Sequence, residues 1–238
     1  MQERTAPRVL AFDVFGTVVD WHGSIAKEVE TLAAARGQRV DGHAFANAWR
    51  AGYQPAMARV RSGELGWTKI DALHRMILDG ILPDFGLQGL DEAARRGLNL
   101  AWHRLDPWPD TVEGLRRLAR RHTLVTLSNG NLSLLTDLAR HGGLAFDCLL
   151  SAEVFRHYKP DPEAYLGVAE VFDLSPSDVM LVAAHHDDLH AARRCGLRSA
   201  YVERPHEFGA DRPKDVSPDP AHDYHARDFL DLAGQLGC

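Results

Sequence analysis

Four places along the 238-residue chain set reactive or polar side chains where an apolar run gives way to a loop. They are Asp13 with Thr17, Ser128 with Asn129, Lys159, and the cluster His185-His186-Asp187-Asp188. One such group alone reads as a helix cap, because Ser, Asn and Asp accept from the free N–H groups of a helix start. Four together read as a site, since in an open parallel sheet functional groups gather beyond the carboxyl ends of the strands, where neighbouring loops part. Carboxylates, a lysine, hydroxyls, an amide and histidines are the types that serve nucleophilic and acid–base chemistry.

The elements that must position these groups follow from hydrophobic pattern. Arg8 to Phe12 is a short apolar run ending at an acid, as a buried parallel strand does. From about Ser24 to Trp108 no strand is expected. There Ile25, Val29 and Leu32, then Leu73 and Ile77, recur at helical spacing, with Gly37, Gly63, Gly80 and Pro83 as punctuation. Beyond Trp108 helices and strands alternate: helix from Val112 to Arg121, strand from Thr123 to Leu127, helix from Leu132 to Arg140, strand from Cys148 to Leu150. They continue as helix from Pro162 to Phe172, strand from Val179 to Ala183, helix from Leu189 to Cys195 and strand from Ala200 to Val202. Such alternation predicts an α/β doubly wound parallel sheet with right-handed crossovers. The stretch from Pro205 to Pro220 reads as a surface loop before a last short helix near Phe229 to Leu232.

With these residues in place the chain resembles the haloacid dehalogenase superfamily over nearly its whole length. Phe12-Asp13-Val14-Phe15-Gly16-Thr17-Val18-Val19-Asp20 is similar to its first motif, Leu127-Ser128-Asn129 to its second, Tyr158-Lys159-Pro160-Asp161-Pro162 to its third, and Val182 to Asp188 to its fourth. The resemblance implies a Rossmann-like core, residues 1–20 and 109–238, with a four-helix-bundle-like cap, residues 21–108, inserted after the first strand.

Most members of that superfamily are phosphatases, and the chain departs from them at two points. Phe15 stands where a phosphatase has the acid that protonates an alkoxide leaving group, and Ala183-Ala184 stand where it has Gly-Asp and a carboxylate for Mg²⁺. Phosphoryl transfer relies on a metal to offset concentrated negative charge. Halide departs without protonation, and an aromatic beside the nucleophile resembles the L-2-haloacid dehalogenases. The resemblance therefore implies metal-independent hydrolysis of short 2-haloalkanoic acids to 2-hydroxy acids, with inversion. Asp13 would form an ester with the substrate carbon, Lys159 would balance its charge, and Thr17, Ser128 and Asn129 would orient the carboxylates. Arg50 would receive halide, while Asp188 and His185 would help to activate the hydrolytic water. Val14, Phe15, Tyr53, Trp67 and Tyr165 are the expected substrate-binding residues. Two rivals remain: a phosphatase of small esters with another metal arrangement, and a non-catalytic binder of small acids.

The bulk properties set limits on partners. A formal net charge of −6 offers no electrostatic reason for nucleic acid or an anionic membrane. No apolar run approaches a membrane span and the first residues lack a signal-peptide core, so a cytoplasmic protein is expected. Three scattered cysteines argue for free thiols. A small halogenated carboxylate is the expected partner, with a homodimer compatible with the resemblance and no cofactor. The histidines at 185, 186 and 190 invite a metal. Adjacent strand-end residues face opposite sides, however, and no helical i, i+4 pair of ligands is evident, so no metal is expected.

Overall fold

The computed structural model describes residues 6–238. Its strands are β1 (Val9–Phe12), β2 (Val19–Asp20), β3 (Asp106–Pro107), β4 (Thr123–Ser128), β5 (Cys148–Ser151), β6 (Val179–Ala183), β7 (Arg198–Val202) and β8 (Tyr224–Ala226). Six of them form one sheet in the order β5-β4-β1-β6-β7-β8, every neighbouring pair parallel. Strand β1 is buried throughout because it lies between β4 and β6, with Phe12 opposite both Thr126 and Val182.

Alternation along the strands divides the core into two layers. Leu10, Phe12 and Val182 pack with Leu115, Leu135, Phe229 and Leu232 on one face. Val9, Ala11, Val125 and Leu181 pack with Tyr165, Val168, Leu189 and Ala192 on the other. Helices therefore cover both faces, the doubly wound arrangement that the alternating pattern predicts.

Helices α1 (Trp21–Ala34), α2 (Gly42–Ala51), α3 (Tyr53–Arg61), α4 (Ile70–Ile81) and α5 (Glu92–Asn99) make up the inserted segment. Asp20, Asp41 and Asp91 start α1, α2 and α5 by accepting from Gly23 N, Ala44 N and Ala94 N. Their buried residues meet around Trp21, Trp49 and Trp102, with the Trp49 ring edge-on to Trp102 at 5.6 Å. Gly52 separates α2 from α3, and a Cβ there would stand 2.5 Å from Ile77 Cγ2, so the joint is tight. After the insert come α6 (Thr111–Leu118), α7 (Leu132–Gly142), α8 (Ala152–Phe155), α9 (Pro162–Val171), α10 (His186–Arg194) and α11 (Phe229–Gln235).

Several elements differ from expectation. The insert is not free of strand: β3 pairs antiparallel with β2, matching Val19 to Pro107 and Asp20 to Asp106. This two-residue ribbon is too short to leave a periodic signal. Strand β8 extends the sheet beyond β7 inside a stretch with no strand pattern. Helix α10 begins at His186 and not at Leu189, which places His186 and His190 one turn apart on the same helix. The proline-rich stretch after Pro205 is not wholly a surface loop, since Glu207 is fully buried. Cys148, Cys195 and Cys238 are free thiols. Among the described residues no helix is long and apolar enough to cross a membrane.

Candidate active site

Asp13 follows β1 directly, and its N–H continues the ladder to Val182 O at 3.0 Å, so its side chain leaves the sheet at the carboxyl edge. The chain then turns sharply. Val14 O accepts from Val18 N and Val19 N, while Gly16 adopts φ +84°, a left-handed conformation that suits glycine. A Cβ on Gly16 would also lie 2.2 Å from Glu207 Oε1. The turn brings Thr17 back to donate to Asp13 Oδ2 at 2.7 Å, its hydroxyl oxygen accepting from Ala184 N at 2.9 Å.

The loop between α8 and α9 supplies the cation. Lys159 Nζ donates to Asp13 Oδ1 at 2.9 Å and to Asp188 Oδ2 at 2.5 Å. Its backbone N–H is fixed by Asn129 Oδ1 at 2.8 Å, so Asn129 positions the lysine and not a carboxylate. Asp188, in the first turn of α10, also accepts from Tyr165 OH at 2.6 Å. Ser128 caps the turn that follows β4, its hydroxyl accepting from Gly130 N at 3.0 Å.

The second oxygen of Asp13 meets another charged row. His185 Nδ1 stands 3.2 Å from Asp13 Oδ2, and its Nε2 stands 2.8 Å from Glu207 Oε1. Glu207 also takes Lys214 Nζ at 2.7 Å and Trp21 Nε1 at 3.3 Å, and Lys214 reaches the Ala184 carbonyl as well. Sequence reasoning missed Glu207 and Lys214. The local signal is slight: Phe208, an aromatic in a polar stretch, marks where the loop turns inward.

Burial and charge oppose each other throughout this cluster. Burial pushes the Asp13 carboxyl up, but Lys159 and His185 pull it further down, well below the usual carboxylate range. Burial pushes Lys159 down, and Asp13 with Asp188 more than reverse that, so the lysine stays charged. For His185 burial again favours the neutral ring, yet Glu207 and Asp13 raise it to about 9. Burial raises Glu207, whereas His185 and Lys214 bring it down to about 2. While Asp13 and Glu207 are ionised, the His185 ring is thus held toward its protonated form.

Asp13, Lys159, His185 and Asp188 line a cavity of about 990 Å³ that includes Phe15, Arg50, Tyr53 and Tyr165 and extends past His190 to Arg193 and Arg194. That volume exceeds what a two- or three-carbon acid fills. Phe15 is 3% exposed and meets Tyr53 and Trp102 edge-on, with centroids 6.5 and 5.6 Å away. The Arg50 guanidinium stands 4.2 Å from the Tyr53 ring centroid, and its Nη1 is buried without a hydrogen-bond partner among the described residues. Two expected substrate contacts lie elsewhere. Trp67 stacks on Tyr158 at 4.9 Å, packed against the apolar core, and is not part of the cavity wall. Val14 packs into the core.

A buried carboxylate at the end of the first strand, shared lysine and second carboxylate, with a helical insert after that strand, define a hydrolase architecture. The chain belongs to the haloacid dehalogenase-like hydrolases, whose family model matches residues 7–196. It is similar to a solved defluorinating L-2-haloacid dehalogenase, with 44% identity, a TM-score of 0.94, and 98% of this chain and 96% of that one covered. The solved L-2-haloacid dehalogenase of Xanthobacter autotrophicus gives 26% identity and a TM-score of 0.81, covering 97% and 98% of the two chains. In sequence, (S)-2-haloacid dehalogenase 1 of Pseudomonas sp. (strain CBS-3) is 28% identical, covering 83% of this chain and 85% of that protein.

Proposed function

We propose that the chain hydrolyses carbon–halide bonds in short 2-haloalkanoic acids, with residues 21–108 as a cap over a core formed by 1–20 and 109–238. The names of its relatives support the substrate class. One observation carries the reading: Phe15, packed among aromatic rings beside Asp13, offers no proton for an alkoxide, and halide needs none.

Asp13 attacks the carbon bearing halogen from the side opposite the halide. Its ester forms, the C–X bond breaks with its electron pair on the halide, and the carbon inverts. Two anions must approach for this; at ~4 Å and an effective dielectric of ~20 their repulsion is about 4 kcal/mol. Lys159 and His185 offset the charge of Asp13. Arg50, whose buried Nη1 has no hydrogen-bond partner among the described residues, takes the departing halide. Esterification removes the Asp13 charge, and with it one of the two carboxylates that hold a proton on His185. The proton then passes to solvent through the open cavity, and the neutral imidazole, with Asp188, activates water for attack on the ester carbonyl. Water gives one proton to His185, which regains its charge, and adds its hydroxide to the ester carbonyl. The alkoxide leaves with the remaining hydrogen of that hydroxyl, so Asp13 returns as a carboxylate and the 2-hydroxy acid departs, the one proton released overall being the one already passed to solvent.

The test is halide release from chloro-, bromo- and fluoroacetate and both 2-chloropropionate enantiomers, with and without EDTA. Release is expected in both conditions, and Asp13→Asn is expected to abolish it. No release from any of these acids, with Mg²⁺-dependent phosphate release from a small ester, would overturn the proposal in favour of a phosphatase.

A further inference from the structure

Behind His185 the chain places a second cluster that the proposed reaction does not use. His185 faces Asp13, whereas the next residue turns the other way: the His186 ring lies parallel to Tyr201 at 4.1 Å and to His222 at 5.2 Å. His186 Nδ1 is 2.9 Å from His222 Nε2, and His222 Nε2 is 4.0 Å from Asp219 Oδ2. One ligand atom from each of these three residues lies within 4.8 Å of the others. Asp219 Oδ2 is also held by His190 Nε2 at 3.0 Å, one helical turn beyond His186.

We propose that His186 Nδ1, His222 Nε2 and Asp219 Oδ2 bind a divalent transition-metal ion of the zinc class, structural in role, that clips the segment between β7 and β8 to the first turn of α10. Zinc takes imidazole nitrogen and carboxylate oxygen at about 2.0–2.2 Å, so tetrahedral ligand atoms lie roughly 3.3 Å apart. The spacings present bracket that value.

The outer contacts are those a metal site requires. His222 Nδ1 lies 3.2 Å from Ser199 Oγ, which also accepts from Arg193 Nη1. An N–H on Nδ1 donating to that hydroxyl leaves the Nε2 lone pair directed at the cluster. His190 orients the Asp219 carboxylate in the same way. The His222 side chain is 1% exposed and Asp219 29%, which leaves an approach from solvent along the carboxylate. The segment so clipped carries Glu207 and Lys214.

Tag-free, chelator-treated protein titrated with Co²⁺ and then Zn²⁺ tests the assignment. Expected are one Co²⁺ per chain, visible absorption of a low-symmetry site that Zn²⁺ displaces, and a rise in Tm with Zn²⁺. His222→Ala and the milder surface change Asp219→Asn are expected to abolish all three, and His190→Ala to weaken binding by about 10- to 100-fold. His43→Ala, in a stacked His22–His43 pair elsewhere on the molecule, is expected to change nothing. The proposal is overturned by no stoichiometric binding in the parent protein. It is equally overturned by Asp219→Asn protein that binds and melts like the parent.

Discussion

Lys159 and His185 divide the two oxygens of Asp13 between them, and each is held in its charged form by a further carboxylate. The His185 value near 9 predicts that kcat/KM for halide release holds through neutral pH and falls as pH rises through about 9, where the imidazolium loses its proton. Glu207→Gln removes one of the two anions responsible, so its profile should break at lower pH, toward the ordinary histidine value of 6.5; an unchanged profile would exclude His185 as the group. Arg50→Ala is expected to lower kcat/KM by about 10²- to 10³-fold, the usual cost of losing one donor aimed at developing negative charge. Steady-state kinetics on chloroacetate would show it. Asp13, Lys159, Asp188 and Thr17 were legible because each sits within a few residues of a strand or helix end that the sequence itself marks. Glu207 was not, because its partners His185 and Trp21 are 22 and 186 residues away and only the folded chain brings them together.

At the scale of elements, parallel strands buried on both faces were readable to within a residue or two, since continuous apolar runs between loops are a local signal. Strands β2, β3 and β8, with two or three residues each, were not, because pairing and not composition defines them. The start of α10 was misplaced for a related reason: His186-Asp187-Asp188 is polar, and the turn is helical because the loop above it is anchored through Asp13, Ala184 and Lys159. The joint between α2 and α3 offers a test. It holds Arg50 and Tyr53 side by side, and Gly52→Ala would press a methyl against Ile77. A loss of about 1–3 kcal/mol is expected from overpacking, read by urea unfolding, together with a raised KM as Arg50 shifts.

Across the whole molecule the charged row links stability to pH on both sides. His185 has a folded value above its ordinary 6.5, so its contribution is complete below 6.5 and lost as pH rises through about 9. Glu207 lies below its ordinary 4.5, so its contribution is complete above 4.5 and lost as pH falls through about 2. The contributions of these two groups are thus complete together between about 4.5 and 6.5, and Tm measured across pH should decline on either side of that window. Glu207→Gln should flatten both flanks. The ribbon of β2 and β3 has a different reach. Because Asp20 and Asp106 face each other across one register pair, the helical segment between them begins and ends at neighbouring points. A segment with adjoining ends can be exchanged like a cassette, so another segment of matching end spacing that again supplies an arginine at the place of Arg50 would change which acids are admitted while the strand-end groups below stay as they are.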